Sequence, residues 1–525
     1  MRKLTALLMA VTLILGIVLT AGFAFAEGEA PTKILFYRVA VQQDPTTDRL
    51  LLELQKRTNT VIEFITAPWD SETTRIMTIL SSGEQVDVMS MNTTSFDFPS
   101  LCRDGLLRQL DDYLAADAYP MLKKLAYGDV YFPRYNVDGN VYGIPLPQTP
   151  GDWNNYIRSD WLEKIGLPIP ATPDEMYEVL KAFKFNDPDG NGVDDTIGVC
   201  LAQANGGLNP ILAMFMPSYG NSWQDNNGAL EWLYTTDMYK EALTYINRLY
   251  SEEIINQDLF DIKDREYVRY QFSAGVSGWV TSPMIAGDYN ELLAVDPTAK
   301  VQLMAPLPHT NNSTGAYAGD AGWSWMNNVL PSTGANPEKV LELLEYLHSE
   351  EGRKLMCTGI EGIHYERYEA IPDEEVGVFY GISAEEQGKD WDPAKGEGPT
   401  GSPMWWGMVS TINGTIPVFE YDSLQDALKH STMFVSEEDY KNNPYWDMRK
   451  RGSMYVNHNY MPDPVQGWLE YSSSIDTVRQ EYEASIILAD PGQIDSLWEE
   501  YLNAIDGVGF QEALAAVQEW YSARN

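Results

Sequence analysis

Residues 33–67 read KILFYRVAVQQDPTTDRLLLELQKRTNTVIEFITA. Its two ends, KILFYRVA (33–40) and TVIEFITA (60–67), are short and rich in β-branched and aromatic residues, as strands are. Between them TDRLLLELQKRT (47–58) sets its leucines at helical spacing. Strand, helix and strand in that order predict a β-α-β unit, hence a parallel sheet with a right-handed crossover.

The pattern continues outward. Residues 71–81 (SETTRIMTILSS in the stretch 71–82) predict a helix and 86–91 the next buried strand. Residues 153–166 pass from a strand into a short helix that stops at Gly166, and a Pro-rich linker follows at 167–173. Thr172 is then an N-cap, Pro173 takes the first helical position, and Glu175 stands three residues after the cap. These signals start a helix over 173–185 with Met176, Val179, Leu180 and Phe183 on one face. Further helices are predicted at 236–251, 337–349, 351–358, 493–504 and 508–522. Strands are predicted near 196–202, 276–281, 301–305 and 322–326. The interleaving makes the chain α/β throughout, and about 500 residues exceed one core, so two lobes are expected.

At the start, Met1-Arg2-Lys3, an apolar run from Leu7 to Gly22 and the small-residue site Ala24-Phe25-Ala26 have the order of a Sec signal peptide, 1–26. The other reading of that run is a retained anchor, for which it is short. An extracytoplasmic address, periplasmic or secreted, is therefore expected. No cysteine stands at the cleavage site, which excludes lipidation by that route. Cys102, Cys200 and Cys357 are too scattered for a disulfide framework or a zinc site; free thiols or one bridge remain open. The net charge of -40 repels phosphate backbones, so no nucleic acid and no anionic membrane is expected as a partner.

Asp187-Pro188-Asp189-Gly190-Asn191-Gly192-Val193-Asp194-Asp195 is the sharpest local motif. Oxygen-bearing groups fall at Asp187, Asp189, Asn191 and Asp195, Gly192 stands where a calcium loop turns sharply, and Val193 can offer its carbonyl. Gly198 occupies the place of the closing bidentate Glu, so the cage would need water, Thr196 or another carboxylate. The same residues also make a double turn without metal. A bound Ca2+ would be structural, pinning the end of the 173–185 helix.

Aromatic content is 12%, with 15 Trp and 31 Tyr. Flat sugar faces pack their C–H groups on such rings, while Trp and Tyr keep a polar edge. The candidates in polar, Gly-rich turns are Trp153, Trp223, Trp279, Trp323, Trp325, Trp405 and Trp406. Arg38 and Arg158 are the places to look for contacts to an acidic glycan.

The ordered segments YIRSDWLEKIGL (156–167), TPDEMYEVLKAFKFNDPDGNGVDD (172–195), FSAGVSGWV (272–280) and HSEEGRKLMCTGIEGIHYE (348–366) resemble the extracellular solute-binding proteins of ABC importers. The likeness is greatest to the large oligosaccharide-type, alginate-binding-like branch with a calcium loop. That resemblance implies an α/β, two-lobed periplasmic-binding-protein clamshell, type II-like, with hinge crossovers. It implies a monomer that hands an oligosaccharide, uronic or neutral, to ABC permease subunits, and it places Ca2+ on Asp187, Asp189, Asn191, Val193 and Asp195. The family often has an acid after the last of these; here stands Thr196. On this basis 27–165 is mainly the N-terminal lobe and 166–300 mainly the second lobe with the loop. Residues 301–370 are the hinge crossover and return, and 371–525 a mixed segment completing lobes and cleft.

Two other classes compete. A glycoside hydrolase or lyase needs paired carboxylates, which 76 acids supply by chance. No G-x-S-x-G, H-E-x-x-H or P-loop is present, and none of the five histidines (309, 348, 364, 430, 458) pairs with a nucleophile motif, so the reading is non-enzymatic. A peptide receptor of the same fold would instead use backbone groups along an extended groove.

Overall fold

The computed structural model describes residues 30–381 apart from loop breaks, the main ones at 40–45, 129–135, 147–153, 218–222, 283–285, 314–325 and 371–376. It also describes Ile416–Val418 and 465–523, and beyond these only single residues. The signal-peptide reading of 1–26 lies outside the described residues.

In chain order the elements that position the site are β1 (Thr32–Tyr37), α1 (Arg49–Thr58), β2 (Thr60–Ile65), α2 (Glu72–Ser82), β3 (Val88–Met91) and β4 (Gly143–Pro145). There follow β5 (Asn154–Arg158), α3 (Ser159–Ile165), α4 (Pro173–Phe185), β6 (Ile197–Val199), α5 (Asp237–Ser251), α6 (Arg265–Ser273), β7 (Ser277–Ser282) and β8 (Val301–Leu303). The last are β9 (Asn327–Val329), α7 (Pro337–His348), α8 (Gln466–Leu488), α9 (Ile494–Gly507) and α10 (Phe510–Ser522).

The opening β-α-β forms as its pattern requires. Asp48 caps α1, accepting the Leu51 N–H at 3.0 Å, and Leu50, Leu51 and Leu54 bury the helix stripe. β1 pairs in parallel with β2 and with β3, so the central strand is apolar on both faces. Antiparallel β9 then joins β3 to β4, giving the five-stranded order β2-β1-β3-β9-β4. Two hydrophobic clusters cover its faces, one around α1 and α7, the other around α2.

A second sheet has the order β8-β5-β7-β6, with β5 antiparallel to both neighbours and β6 parallel to β7. The capped helix α4 lies against it. Its Thr172 hydroxyl accepts the Glu175 N–H at 3.2 Å, and Glu175 reaches back to the Ala171 N–H at 2.7 Å. Gly198 and Gly278 let this helix approach the strands: a Cβ on Gly198 would come within 2.8 Å of Leu180, and one on Gly278 would run into the Phe183 ring. The same steric fact excludes a glutamate at 198, closing the EF-hand route to a twelfth-position ligand.

One core unites the second sheet with α4, α5 and the C-terminal helices α8, α9 and α10. Tyr239 on α5 donates to Glu483 on α8 at 2.5 Å, and Asn247 caps α8 by donating to the Ile486, Ile487 and Ala489 carbonyls. Residues 154–165 therefore need reassignment. β5 sits in the middle of the second sheet and α3 leads from it, whereas the sequence placed them with the N-terminal lobe, because the strand's hydrogen-bond partners lie far downstream. The strand expected at 322–326 lies, but for Met326, outside the described residues; β9 follows at Asn327–Val329.

Candidate functional site

Between strands of the two sheets the chain passes twice, from β4 to β5 and from β8 to β9, and it crosses again between α7 and α8. The two strand-to-strand passages start and finish at one end of each sheet, and so fix which ends face each other. In the first sheet, the start of β9 stands level with the carboxyl ends of β3 and β4, through the registers Asn327 with Met91 and Asn327 with Pro145. In the second, the start of β5 stands level with the carboxyl ends of β7 and β8, through Asn154 with Ser282 and Tyr156 with Leu303. Open α/β sheets take ligands in the crevice outside the carboxyl ends of their parallel strands. Val39, Leu146 and Met326 pack together where the passages leave the first sheet, and the Leu146 N–H donates to the Met326 carbonyl at 3.1 Å.

Arg38 follows β1 directly at this end. Its N–H donates to Ile65, and burial lowers its guanidinium to about 10. Buried polar atoms with no hydrogen-bond partner lie on both faces of the sheet near this end: the Tyr37 hydroxyl and Glu72 Oε1 on the α2 side, and both amide atoms of Asn328 on the other. Burial, followed by the Glu72 carboxylate, pushes the Tyr37 phenol up to about 12; burial also raises Glu72, against a bond from the Asn92 N–H. Groups of this kind cost about 1–3 kcal/mol each when left unsatisfied. The second sheet's end differs, for Thr281 donates to Asn155 at 2.6 Å and closes its own pair. Sequence reasoning missed Tyr37 and Glu72. The available signal was positional: the last residue of the first strand and the first of the helix after the second strand both fall at a crevice edge.

Three of the proposed contacts are corrected by burial. Trp223 is 2% exposed and meets Trp468 edge-on at 4.9 Å, and Trp279 on β7 is 1% exposed within the second lobe's core. Neither can present a ring face to a sugar. Arg158 is 1% exposed at the far end of β5, where it binds both oxygens of Asp160 at 2.9 and 2.7 Å and Asp296 at 2.6 Å, and stacks on Trp161 at 4.5 Å. Its charge is spent inside the lobe. Trp153, Trp323, Trp325, Trp405 and Trp406 lie outside the described residues; in sequence, the first three fall within the two passages.

The acidic loop runs from α4 to β6. Its side chains converge: the Asn191 amide lies 2.7 Å from Asp189 and 3.2 Å from each oxygen of Asp195, and Asn191 Oδ1 accepts the Val193 N–H at 2.6 Å. Asp187 accepts the N–H groups of Gly190 and Gly192 at 3.1 Å, with Asp187, Gly190 and Gly192 at positive φ. Burial and the facing carboxyls of Asp187 and Asp195 hold the Asp189 carboxyl above its usual range. Among the described residues, no three carboxylate, thiolate or imidazole groups converge closely enough to hold a metal by themselves. A cation here would need the Asn191 amide and the Val193 carbonyl as well. An all-oxygen set of that kind suits Ca2+ rather than a transition metal. Thr196 does not join it, because its buried hydroxyl donates to the Phe183 carbonyl at 2.9 Å. Cys102 and Cys200 are buried free thiols, which burial pushes up to about 12.

The model of the bacterial extracellular solute-binding protein family matches residues 40–354, more than half of the chain. The polygalacturonan/rhamnogalacturonan-binding protein YtcQ of Bacillus subtilis is 27% identical over 66% of this chain and 70% of its own length. An HMO-binding, ABC-transporter-associated solute-binding protein from Bifidobacterium longum infantis superposes with a TM-score of 0.61 at 20% identity, covering 94% of this chain and 99% of that one. An EF-hand mutant of the Streptococcus pneumoniae substrate-binding protein FusA, in complex with fructo-nystose, superposes at 0.62 with 17% identity over 94% and 99%. No described helix is long and apolar enough to cross a membrane.

Proposed function

The chain belongs to the bacterial extracellular solute-binding proteins, and from that premise we propose that it is the substrate-binding component of an ABC importer for an oligosaccharide. It captures the sugar between its two lobes and passes it unaltered to permease subunits. The observation that carries this reading is the crevice end of the first sheet, where Arg38 follows β1 and buried polar atoms of Tyr37 and Glu72, facing each other on the α2 side, lack partners. Such atoms await a ligand rich in hydroxyls. YtcQ and FusA, a fructooligosaccharide-binding relative, support the sugar class. Trp153, Trp323 and Trp325 supply ring faces from the passages, and residues 1–26 direct export. The protein acts as a monomer and not as an enzyme.

The loop at Asp187, Asp189, Asn191, Val193 and Asp195 binds Ca2+. Its convergent oxygens support this, as does the similarity in fold to FusA, which was solved as an EF-hand mutant. The ion adds charge balance and stiffness at the end of α4. It lies at the end of the second sheet opposite the passages, so it does not touch the captured sugar.

The test is a thermal-shift panel of oligogalacturonates, fructo-oligosaccharides and short peptides, with mass spectrometry of each recovered ligand. A ligand bound only by the folded state at a hundred times its Kd adds about 2.7 kcal/mol. Stabilisation by a sugar recovered whole is the expected result. A cleaved sugar, or stabilisation by peptides alone, refutes the reading.

A further inference from the structure

Helix α6 turns at Gly275 and runs back along β7. Its inner face is set by Val268, which packs against Cys200, Ala202 and Ile262. The parallel register of Val199 with Trp279 puts Cys200 and Ala202 level with the carboxyl end of β7, the end where the passages meet the sheet. Helix α6 therefore covers the rim of the crevice, on the second lobe.

On its outer face stand Tyr267 and Tyr270, three residues apart and so neighbours on the helix surface. They are 40% and 59% exposed, whereas Trp161, Trp223, Trp232 and Trp279 of the same lobe are buried. Arg269, between them in sequence, is already paired with Asp288 at 3.1 Å, so the face offers rings and hydroxyls rather than an open charge.

We propose that Tyr267 and Tyr270 form an aromatic ledge that stacks an outer sugar ring of an oligosaccharide longer than the crevice holds. The ledge rests on the oligosaccharide reading above and adds to it a preference for chain length. Continuity with the crevice rim selects this occupant, because Val268 seats the helix beside the residues that follow β6, level with the carboxyl end of β7. Ring stacking needs C–H faces and no particular charge.

Isothermal titration of the mature chain and of the Tyr267→Ala, Tyr270→Ala double variant tests this, with oligogalacturonates and fructo-oligosaccharides from dimer to hexamer. The variant is expected to bind the long members of the preferred series roughly threefold to tenfold more weakly, to bind dimers as the wild type does, and to melt at the same temperature. The Tyr267→Phe, Tyr270→Phe protein should keep wild-type affinity, since stacking uses the ring. Equal affinity at every length, equal loss at every length, or failure of the Phe variant overturns the ledge and leaves sugar capture standing. A wild type that binds no sugar of the panel overturns both.

Discussion

Two charged clusters sit at the same end of the second sheet, away from the passages, and they settle their charge in opposite ways. The Arg158 cluster is buried and complete: the guanidinium holds Asp160 with two bonds and Asp296 with a third, and Thr298 donates to the remaining Asp296 oxygen through its N–H at 3.0 Å and its hydroxyl at 2.7 Å. The loop at 187–195 is exposed and incomplete. Its acids face one another, bridged by Asn191, while Lys184 turns to Asp194 and Lys164 to the Asp189 carbonyl. A charge group that closes on itself is part of the fold, and one left short of cations is where we propose an ion from outside. In sequence the loop is an Asp-rich run, whereas the Arg158 cluster shows only Arg158 and Asp160, its second acid standing 138 residues away; the geometry alone reveals the second group.

The comparison breaks if the buried cluster proves dispensable. Arg158→Ala leaves Asp160 buried without its partner, a change that costs about 3–5 kcal/mol. Urea denaturation should show that loss; a change below about 1 kcal/mol would mean that water or backbone groups satisfy the two acids. The loop should behave conversely. Protein stripped with a chelator should melt lower and recover with Ca2+, by about 2.7 kcal/mol at a hundred times the Kd, and Asp187→Ala with Asp189→Ala should remove the recovery while leaving the metal-free melting temperature nearly unchanged. An identical melt with and without Ca2+ would reduce the loop to a turn.

How far the sequence foretold this depends on whether the informative residues are neighbours in the chain. Helix 173–185 is legible to the residue because Thr172, Pro173 and Glu175 are contiguous signals. The acidic loop is legible for the same reason. The placement of β5 is not, since its partners at 277–282 and 301–303 are far away, and its composition does not say which sheet it joins. Helix α8, 466–488, escaped notice because its buried positions, Trp468, Ile475, Glu483, Ile486 and Ile487, share one face but are widely spaced, include an acid and are separated by serines and charges; it packs on α5, α9 and α10. Trp223 and Trp279 look like binding residues from their Gly-rich surroundings, yet Gly278 is there to admit Phe183 beside the strand, which draws the lobe's aromatics inward. Tyr37 and Glu72 meet only through the fold.

The smallest effect tests whether the proposed Ca2+ acts locally. Thr172 caps α4 at its far end from the loop, through the 3.2 Å bond from the Glu175 N–H. Thr172→Ala should cost about 1 kcal/mol, read from the urea midpoint. If Ca2+ stiffens only the segment between α4 and β6, that cost is the same with and without the ion, and the cap and ion effects add within about 0.5 kcal/mol, as for distant sites with no shared partner. If instead the ion pulls the whole helix into register, the cap matters less once Ca2+ is bound and the double-variant cycle shows a coupling above that limit. Additivity would keep the loop as a local clasp on the strand's entry, distinct from the Arg158 cluster that ties β5, α3 and the turn after Asp296 into one piece.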